Sequence, residues 1–240
     1  MNALTVKPTE RTNGSPCDKC RVRASNFCGA LKPERTSLTQ VHQSILARRT
    51  PYQAGEETED VHVICDGWAA CTVRLSDGRR QILSFLLPGD LVSASALFKT
   101  RQLFSVQTLT DIRYCKFSRS ELQKKLMEEP QVFEELMKIC VAEKDQADQL
   151  IVSLGRRSAA ARIARLIILL MERLSARGLV RGQAFDFPLR QQHIADAVGL
   201  TTVHVSRVIN MLRKAGLIDI AQRQIKIISL RELQRVADAR

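Results

Sequence analysis

Residues 131–154 read QVFEELMKICVAEKDQADQLIVSL, and a seven-residue repeat runs through them. The repeat is carried by residues spaced alternately four and three apart: Phe133, Met137, Cys140, Lys144, Ala147, Ile151 and Leu154. This spacing is typical of the seam of a two-stranded coiled coil, and no Pro or Gly interrupts it. The sequence therefore predicts a long helix that pairs with a second copy of the chain. The alternative is an amphipathic helix that lies on its own domain.

Two residues on this seam need a separate explanation. Lys144 would face its twin across a dimer, and facing lysines weaken pairing unless their ammonium groups reach out to water. The dimer is therefore expected either to leave room at this position or to form conditionally. Cys140 is predicted to pack in the seam, and the alternative is an intersubunit disulfide that forms on oxidation.

Length and charge indicate two domains joined by this helix. A chain of 240 residues can bury two modest cores. Lys and Arg number 37 against 25 Asp and Glu, which gives a net charge of +12. Most of the excess lies in residues 155–240, which hold 16 basic and 6 acidic side chains. A compact basic segment of this kind most often binds nucleic acid, and less often an anionic membrane.

The sequence has none of the apolar segments that target or anchor a protein. No run of 18 apolar residues occurs, and the first residues lack the apolar core of a signal peptide. We therefore expect a cytoplasmic protein without a membrane partner. Seven cysteines in such a protein are not expected to form a disulfide framework.

Three of the cysteines are clustered near the N-terminus: Cys17, Cys20 and Cys28, in the string CDKCRVRASNFC. Two thiolates separated by two residues can hold one metal centre and a third can close over it, so a fourth ligand must come from elsewhere. An iron–sulfur cluster, a structural zinc ion, and unligated or disulfide-switching thiols stay open, because thiolates suit both metals. Cys65 and Cys71 are predicted to be small core residues.

A run of short strands is predicted over residues 51–117. Their alternating apolar residues are separated by turn residues: Asp66-Gly67, Asp77-Gly78 and Pro88-Gly89-Asp90. Regular spacing of this kind indicates an antiparallel roll or barrel. Before the roll, apolar residues at helical spacing predict a short helix over residues 34–48. After it, Ser118 is expected to cap a helix as part of a capping box with Glu121.

A helix, a tight turn and a second helix are predicted in the basic C-terminal third. Residues 191–198 and 201–214 have helical patterns, and Gly199 separates them at the spacing that a helix-turn-helix motif requires. Around this motif the sequence predicts a helix, a short strand and a hairpin: residues 158–174, 185–189, 217–220 and 224–228. A helix-turn-helix followed by a hairpin is a winged helix.

With these parts in place, the order of the chain resembles that of the CRP/FNR family of bacterial transcription regulators. The resemblance covers residues 17–230 and is sharpest in LPGDLV at residues 87–92 and QQHIADAVGLTTVHVSRVINMLRKAGLI at residues 191–218. It implies an α+β fold with an N-terminal β-roll sensor of the cyclic-nucleotide-binding jelly-roll type, a long dimerisation helix and a C-terminal winged helix-turn-helix. The expected divisions are a cysteine arm, the roll, a helical linker with the dimerisation helix, and the DNA-binding domain: residues 1–33, 34–117, 118–154 and 155–240.

The cysteine arm resembles the FNR branch of this family, in which three clustered cysteines and one cysteine in the roll hold an oxygen-labile [4Fe-4S] cluster. This resemblance assigns four ligands in the chain: Cys17, Cys20, Cys28 and Cys115. It implies a homodimer that binds double-stranded DNA, works with RNA polymerase and responds to oxygen or redox state, because cluster loss loosens the dimer. The alternative is a regulator of the same type with structural zinc or a thiol switch.

Two departures from the family pattern shape the expected ligands. The nucleotide-binding branch carries a Glu and an Arg after Gly89-Asp90, but here residues 91–96 read LVSASA and residues 103–106 contain no Arg, so cyclic nucleotide binding is not expected. In the second helix of the motif, Val203 stands where FNR-type members carry Glu, and Arg207 is kept. The candidates for DNA contact are Thr202, Val203, His204, Ser206, Arg207 and Asn210.

No pattern in the sequence indicates catalysis. It contains neither a nucleophile with a positioned base nor a Gly-rich phosphate-binding loop. An iron–sulfur electron carrier would give the basic winged helix no purpose, so we do not expect one. Four arginines next to the motif are either a solvated face or contacts to the DNA backbone: Arg156, Arg157, Arg162 and Arg165.

Overall fold

The computed structural model describes residues 20, 22, 27–31, 38 and 40–239. Two compact units are present, one formed by the chain up to Val73 with Leu83–Glu143, and the other by Arg74–Ile82 with the chain from Lys144 onward. Among the described residues, no helix combines the length and the apolar character that a bilayer span needs.

The N-terminal part is a β-roll, as predicted. Its strands are β1 (Gln40–Ile45), β2 (Asp60–Asp66), β3 (Ala69–Arg74), β4 (Arg80–Leu86), β5 (Ser105–Thr108) and β6 (Ile112–Ser118). They form two three-stranded sheets, with strand orders β1-β6-β2 and β4-β3-β5. The helices of this part are α1 (Phe27–Leu31), α2 (Arg119–Glu128) and the first half of α3 (Pro130–Arg156).

One core of the roll joins the arm to the long helix. Phe27 and Leu31 of α1 are buried together with Phe117 of β6 and with Val132 and Leu136 of α3. Burying a large apolar side chain stabilises a fold by about 1.5–3 kcal/mol. The arm helix and the beginning of α3 therefore stabilise each other through shared core contacts.

The end of β2 is fixed by a turn that only glycine fits. Gly67 has a φ of +83°, and a Cβ at this position would lie 2.1 Å from the carbonyl oxygen of Asp111. A side chain is therefore excluded both by backbone conformation and by space. This turn directly follows Cys65 and Asp66 and so holds the last residues of β2 in place.

The helix predicted over residues 34–48 is wrong, because residues 40–45 form β1. This strand pairs antiparallel with β6, and His42 lies opposite Cys115. A few apolar residues at helical spacing are weak evidence for a helix, because pairing with a distant strand satisfies the same backbone groups. The local pattern contains no sign of that partner.

The predicted capping box at the start of α2 is not formed. Ser118 does occupy the cap position, but its side chain makes no capping hydrogen bond. Its hydroxyl lies 2.9 Å from the hydroxyl oxygen of Ser120. The sequence spacing therefore predicted the helix start correctly and the capping contact incorrectly.

A buried histidine lies inside the roll. The His62 ring packs against Tyr52 and Tyr114, with ring centroids 4.7 Å and 5.4 Å away. Burial lowers the pKa of His62 to about 4, so the imidazole is neutral at neutral pH. The roll therefore contains a group whose protonation opposes folding.

The C-terminal part is a winged helix, as predicted. After the end of α3 its elements are α4 (Ala159–Ser175), β7 (Ala184–Asp186), α5 (Gln191–Val198), α6 (Thr202–Lys214), β8 (Ile218–Ala221), β9 (Gln224–Ile227) and α7 (Leu230–Asp238). Its three strands form one sheet in the order β7-β9-β8. The hairpin of β8 and β9 is the wing.

Short-range contacts fix the turn between α5 and α6. Gly199 ends α5 in the left-handed conformation with a φ of +65°, and a Cβ there would lie 3.0 Å from Cδ2 of Leu154. Thr201 caps α6, because its hydroxyl oxygen accepts a hydrogen bond from the backbone N–H of His204. The helix-turn-helix geometry therefore follows from residues close together in sequence.

Candidate functional site

Three side chains on the β1-β6-β2 sheet converge, and we call them the cysteine–histidine group: His42, Cys65 and Cys115. The Sγ atoms of Cys65 and Cys115 are 3.0 Å apart, and the Sγ atom of Cys115 lies 3.3 Å from Nδ1 of His42. All three donor atoms lie within 4.8 Å of one another. Such a spacing of soft and imidazole donors is suited to holding a metal ion.

Strand register explains this convergence. Cys115 lies opposite His42 on β1 and opposite Val63 on β2. Because side chains alternate along a strand, Cys65 lies on the same face of β2 as Val63. The β2–β6 register shifts between Ile64 and Asp66, so Cys65 occupies a bulge, a feature that redirects a side chain.

Two arm cysteines lie in the same unit as this group. Cys20 is hydrogen-bonded to Cys65, and Cys28 belongs to the buried core cluster that contains Cys115. Cys28 and Cys115 are only 4% and 1% exposed. Cys17, the remaining predicted ligand, lies outside the described residues. The arm and the roll thus contribute thiols to one region, although the chain between them is long.

Protons are unevenly distributed among these thiols. A hydrogen bond from Cys65 lowers the pKa of Cys20 to about 6, so Cys20 is largely a thiolate at neutral pH. Hydrogen bonds to Cys115 and Cys20 raise the pKa of Cys65, which therefore keeps its proton. The site contains a thiolate ready to bind a metal and a neighbouring thiol that would lose its proton on coordination.

Sequence reasoning missed two members of the group. Cys65 was expected to be a core residue; it does pack partly against the core, but its thiol also contacts Cys115. His42 was missed because its segment was assigned to a helix. Reading the segment as a strand would have paired it with another strand of the roll, but the sequence does not specify the register.

The other two described cysteines are not among the donors of this group. Cys71 is buried in a second core with Ile64 and Val106, and its thiol points to the carbonyl oxygen of Val92 at 3.9 Å. The prediction that Cys71 is a core residue is confirmed. Cys140 is partly buried on α3 and packs against the first core.

The predicted dimer seam on α3 is only partly covered in a single chain. Phe133 is 50% exposed and Ile151 is 68% exposed, and Met137 is exposed as well. Ala147 is exposed, and Leu154 is partly buried. Lys144 points to solvent and forms an ion pair with Asp148 at 2.5 Å. An exposed apolar stripe on a long helix is the surface that a second copy would cover.

The candidates for DNA contact lie on the accessible side of α6. Val205 and Leu212 are its buried residues and hold the helix against its own unit. Four candidates are exposed: Val203, His204, Arg207 and Asn210. Thr202 and Ser206 are partly buried. The exposed side starts at the N-terminal end of the helix, the end that enters the major groove in helix-turn-helix proteins.

Comparison with known proteins agrees with this architecture. The family model for the Crp-like helix-turn-helix domain matches residues 161–236, and the one for the cyclic nucleotide-binding domain matches residues 42–129. The nitrogen fixation regulation protein FixK of Bradyrhizobium diazoefficiens is 30% identical over 95% of this chain and 96% of its own length. The chain belongs to the CRP/FNR family. As a CRP/FNR protein it is a DNA-binding transcription regulator that acts as a dimer, not an enzyme.

Other CRP/FNR relatives support the same conclusion. The transcriptional activator protein FnrL of Cereibacter sphaeroides is 29% identical over 89% of this chain and 88% of its own. The structure of FixK2 from Bradyrhizobium japonicum superposes with a TM-score of 0.74 at 27% identity, covering 85% of this chain and 100% of that one. Both likenesses extend over the roll and the winged helix together.

The arginines beside the CRP/FNR motif divide into different roles. Arg162 donates to the carbonyl oxygens of Arg157 and Val198, at 2.9 Å and 3.2 Å, and so ties α4 to the end of α5. Arg157 donates to the carbonyl oxygen of Ala237. Arg156 is exposed. The four arginines are therefore not one solvated face, because two of them hold the winged helix together.

A contact that the sequence did not suggest anchors the first helix of the motif. Nε of Arg80 donates to Asp196 of α5 at 2.7 Å, and the side-chain amide of Gln81 donates to the carbonyl oxygen of Ala197 at 3.1 Å. Burial lowers the pKa of the nearby His193, and the charge of Arg80 adds to this effect. Residues 74–82, which include the first residues of β4, therefore group with the winged helix, although β4 is hydrogen-bonded in a sheet of the roll.

Proposed function

We propose that this CRP/FNR regulator senses oxygen or redox state through a [4Fe-4S] cluster held by Cys17, Cys20, Cys28 and Cys115. One observation carries the proposal: Cys28 of the arm and Cys115 of β6 are buried in the same core cluster. Thiols from two segments that are far apart in sequence are thereby brought to one core. The FNR-type arrangement of the cysteines supports the same ligand set.

The donors that the structure describes suit such a cluster. Iron–sulfur clusters are held by thiolates, and the low pKa of Cys20 supplies one at neutral pH. Burial of Cys28 and Cys115 limits access of water, which is a property that tunes cluster stability and potential. When bound, a cluster would supply an oxygen-sensitive link between the arm and the roll.

The arm is coupled to dimerisation through the core. Phe27 and Leu31, on the same short helix as Cys28, pack with Val132 and Leu136 of α3, which stand on either side of the exposed seam residue Phe133 in the sequence. Ordering the arm therefore orders the part of α3 that the partner would contact. A tenfold change in dimerisation requires only about 1.4 kcal/mol, less than one buried side chain contributes.

We propose that α6 reads a two-fold DNA site. Arg207 is exposed and would donate two hydrogen bonds to O6 and N7 of a guanine. Val203 is exposed and has no acceptor, so it suits a thymine methyl better than the cytosine that a Glu would prefer. The base that this protein prefers at the position contacted by Val203 should therefore differ from the base that FNR-type members prefer there.

Cyclic nucleotides are not part of this proposal, although the roll matches their binding domain. The backbone N–H of Ala94, in the segment that follows Gly89-Asp90, donates to a carboxylate oxygen of Glu143 at 3.1 Å. An acidic group from α3 therefore lies against this segment. A carboxylate there disfavours a phosphate. Gln102 fills the same region by accepting from Ser95 at 2.9 Å.

We also propose RNA polymerase as a partner and the cytoplasm as the location of this protein. Membership of a transcription regulator family supports both, since such a protein acts where the chromosome is transcribed. Co-purification of RNA polymerase with the DNA-bound dimer would test the first of these.

The deciding experiment is metal and sulfide analysis of protein purified without oxygen, together with its visible spectrum. We expect brown protein with about four irons and four sulfides per chain, which bleaches in air and then loses specific DNA binding. Cys71→Ser is the control and should behave as the wild type. Colourless protein without sulfide would contradict the proposal and favour the structural zinc or thiol-switch alternative.

A further inference from the structure

The cysteine–histidine group contains two donors that the proposed cluster does not use. His42 lies on β1 and Cys65 on β2, the two strands that pair with β6. Both side chains lie close to Cys115. Their closeness is set by strand register and by the bulge at Cys65, not by the arm. The group is therefore a feature of the roll itself.

The donor spacing matches a single small ion. Zinc binds sulfur at about 2.3 Å and nitrogen at about 2.0–2.1 Å, so a tetrahedral site places its donors roughly 3.4–3.8 Å apart. The 3.0 Å between the two sulfurs and the 3.3 Å between Cys115 and His42 lie within 1 Å of that value. A cluster, in contrast, places several iron and sulfide atoms between its ligands, which requires wider separations.

The arm offers a fourth donor next to the group. Cys20 interacts with Cys65. Its sulfur is not among the donors that lie within 4.8 Å of one another, so a tetrahedron is completed only when Cys20 moves toward the group. Three cysteines and one histidine are a common ligand set for structural zinc. The set includes one arm residue, so an ion bound there would also hold the arm on the roll.

We propose that Cys20, His42, Cys65 and Cys115 bind one zinc ion when no cluster is present. The two occupants compete, because Cys20 and Cys115 serve both. Zinc binding does not depend on the protein ever carrying a cluster. If it does carry one, the zinc form is a second state of the arm, in which it stays docked after iron is lost.

The test uses the full chain, reduced and free of iron and sulfide, titrated with Co²⁺ in the absence of oxygen. We expect one equivalent of Co²⁺ to give the intense visible bands of a tetrahedral thiolate site, and Zn²⁺ to displace it. Cys65→Ser and His42→Ala should each weaken binding by at least about 100-fold, since even outer-sphere partners of metal ligands contribute about 10–100-fold. Cys71→Ser, a buried cysteine outside the group, is the matched control and should bind as the wild type.

A variant that exchanges one ligand for another distinguishes loss of a ligand from misfolding of the protein. His42→Cys should still bind one equivalent of Co²⁺, with more intense thiolate absorption because a fourth sulfur replaces nitrogen. Tetrahedral binding that is unchanged in both Cys65→Ser and His42→Ala would overturn the proposal. So would the absence of any one-equivalent Co²⁺ site in the wild type.

The same variants separate this inference from the cluster. Reconstitution with iron and sulfide should succeed in Cys65→Ser, because Cys65 is not among the proposed cluster ligands. If that variant keeps both its cluster and full zinc affinity, the zinc site is wrong and the cluster stands. If zinc binds as expected but no variant or wild type holds iron, the proposed function is wrong and the zinc site stands.

Discussion

The helix-turn-helix takes its residues from one continuous segment, whereas the cysteine–histidine group takes its donors from three strands and meets the arm. In the first region, Gly199 and Thr201 set the geometry through contacts within a few residues. In the second, His42, Cys65 and Cys115 meet only because β1, β2 and β6 are paired in one register. The DNA-reading site is therefore expected to tolerate changes elsewhere in the chain, and the cysteine site to depend on the whole roll.

Acid should disrupt the cysteine site by destabilising the roll. Because burial lowers the pKa of His62 to about 4 from 6.5, the unfolded roll binds more protons than the folded roll. The neutral imidazole makes its full contribution to the free energy of unfolding above about pH 6.5. This free energy falls by about 3 kcal/mol as the pH drops to 4. Urea unfolding followed by the fluorescence of Trp68, the single tryptophan of the chain, measures this directly.

His62→Leu is the matched variant for this pH dependence. It removes the titrating group and keeps an apolar side chain between the tyrosine rings, so the pH dependence of unfolding between 6.5 and 5 should become clearly shallower. An unchanged pH slope in this variant would show that other groups control the acid stability of the roll.

Loss of the Arg207 side chain should affect DNA reading without affecting the roll. Arg207→Ala should lower discrimination for guanine in the half-site by about 1–3 kcal/mol, because two hydrogen bonds to the base are lost. Competition binding with operator variants measures the discrimination. Arg213→Ala is the control; Arg213 lies in the last turn of α6 near Asp219, and its loss should weaken all sequences alike. Equal effects of the two variants on base preference would contradict the assigned role.

The turn of the motif should be sensitive to a single methyl group. Gly199→Ala should destabilise the winged helix by about 1–2 kcal/mol, because the left-handed conformation disfavours a Cβ and the Cβ would crowd Leu154. Gly178→Ala separates the two causes, since Gly178 has a φ of +67° with open space around it. Thermal unfolding of both variants should show the larger loss for Gly199→Ala. A smaller loss there would mean that Leu154 moves aside easily.

The same contrast explains what the sequence could and could not predict. The two helices of the motif, the preceding helix and the wing hairpin were predicted to within one residue at each end, because caps, glycine and apolar spacing are local signals. The C-terminal helix α7 was not predicted, and β7 is shorter than expected. The strand β1 was assigned to a helix, and with it His42 was missed, because its evidence lies in pairing with β6 far along the chain. Cys65 looked like any core cysteine, since its place beside Cys115 depends on a bulge that no local pattern reveals. Assignment of Cys115 as a ligand came from family resemblance and not from spacing.

The most direct test of the central claim is anaerobic DNA binding by Cys115→Ser, compared with the wild type before and after exposure to air. If a buried thiol of the roll controls the helix-turn-helix, the wild type should lose at least about tenfold in affinity in air, a change of about 1.4 kcal/mol. Cys115→Ser should bind weakly under both conditions, while Trp68 fluorescence shows that its roll is folded. An anaerobic Cys115→Ser protein that binds the operator as tightly as the wild type, and keeps its iron, would contradict the account.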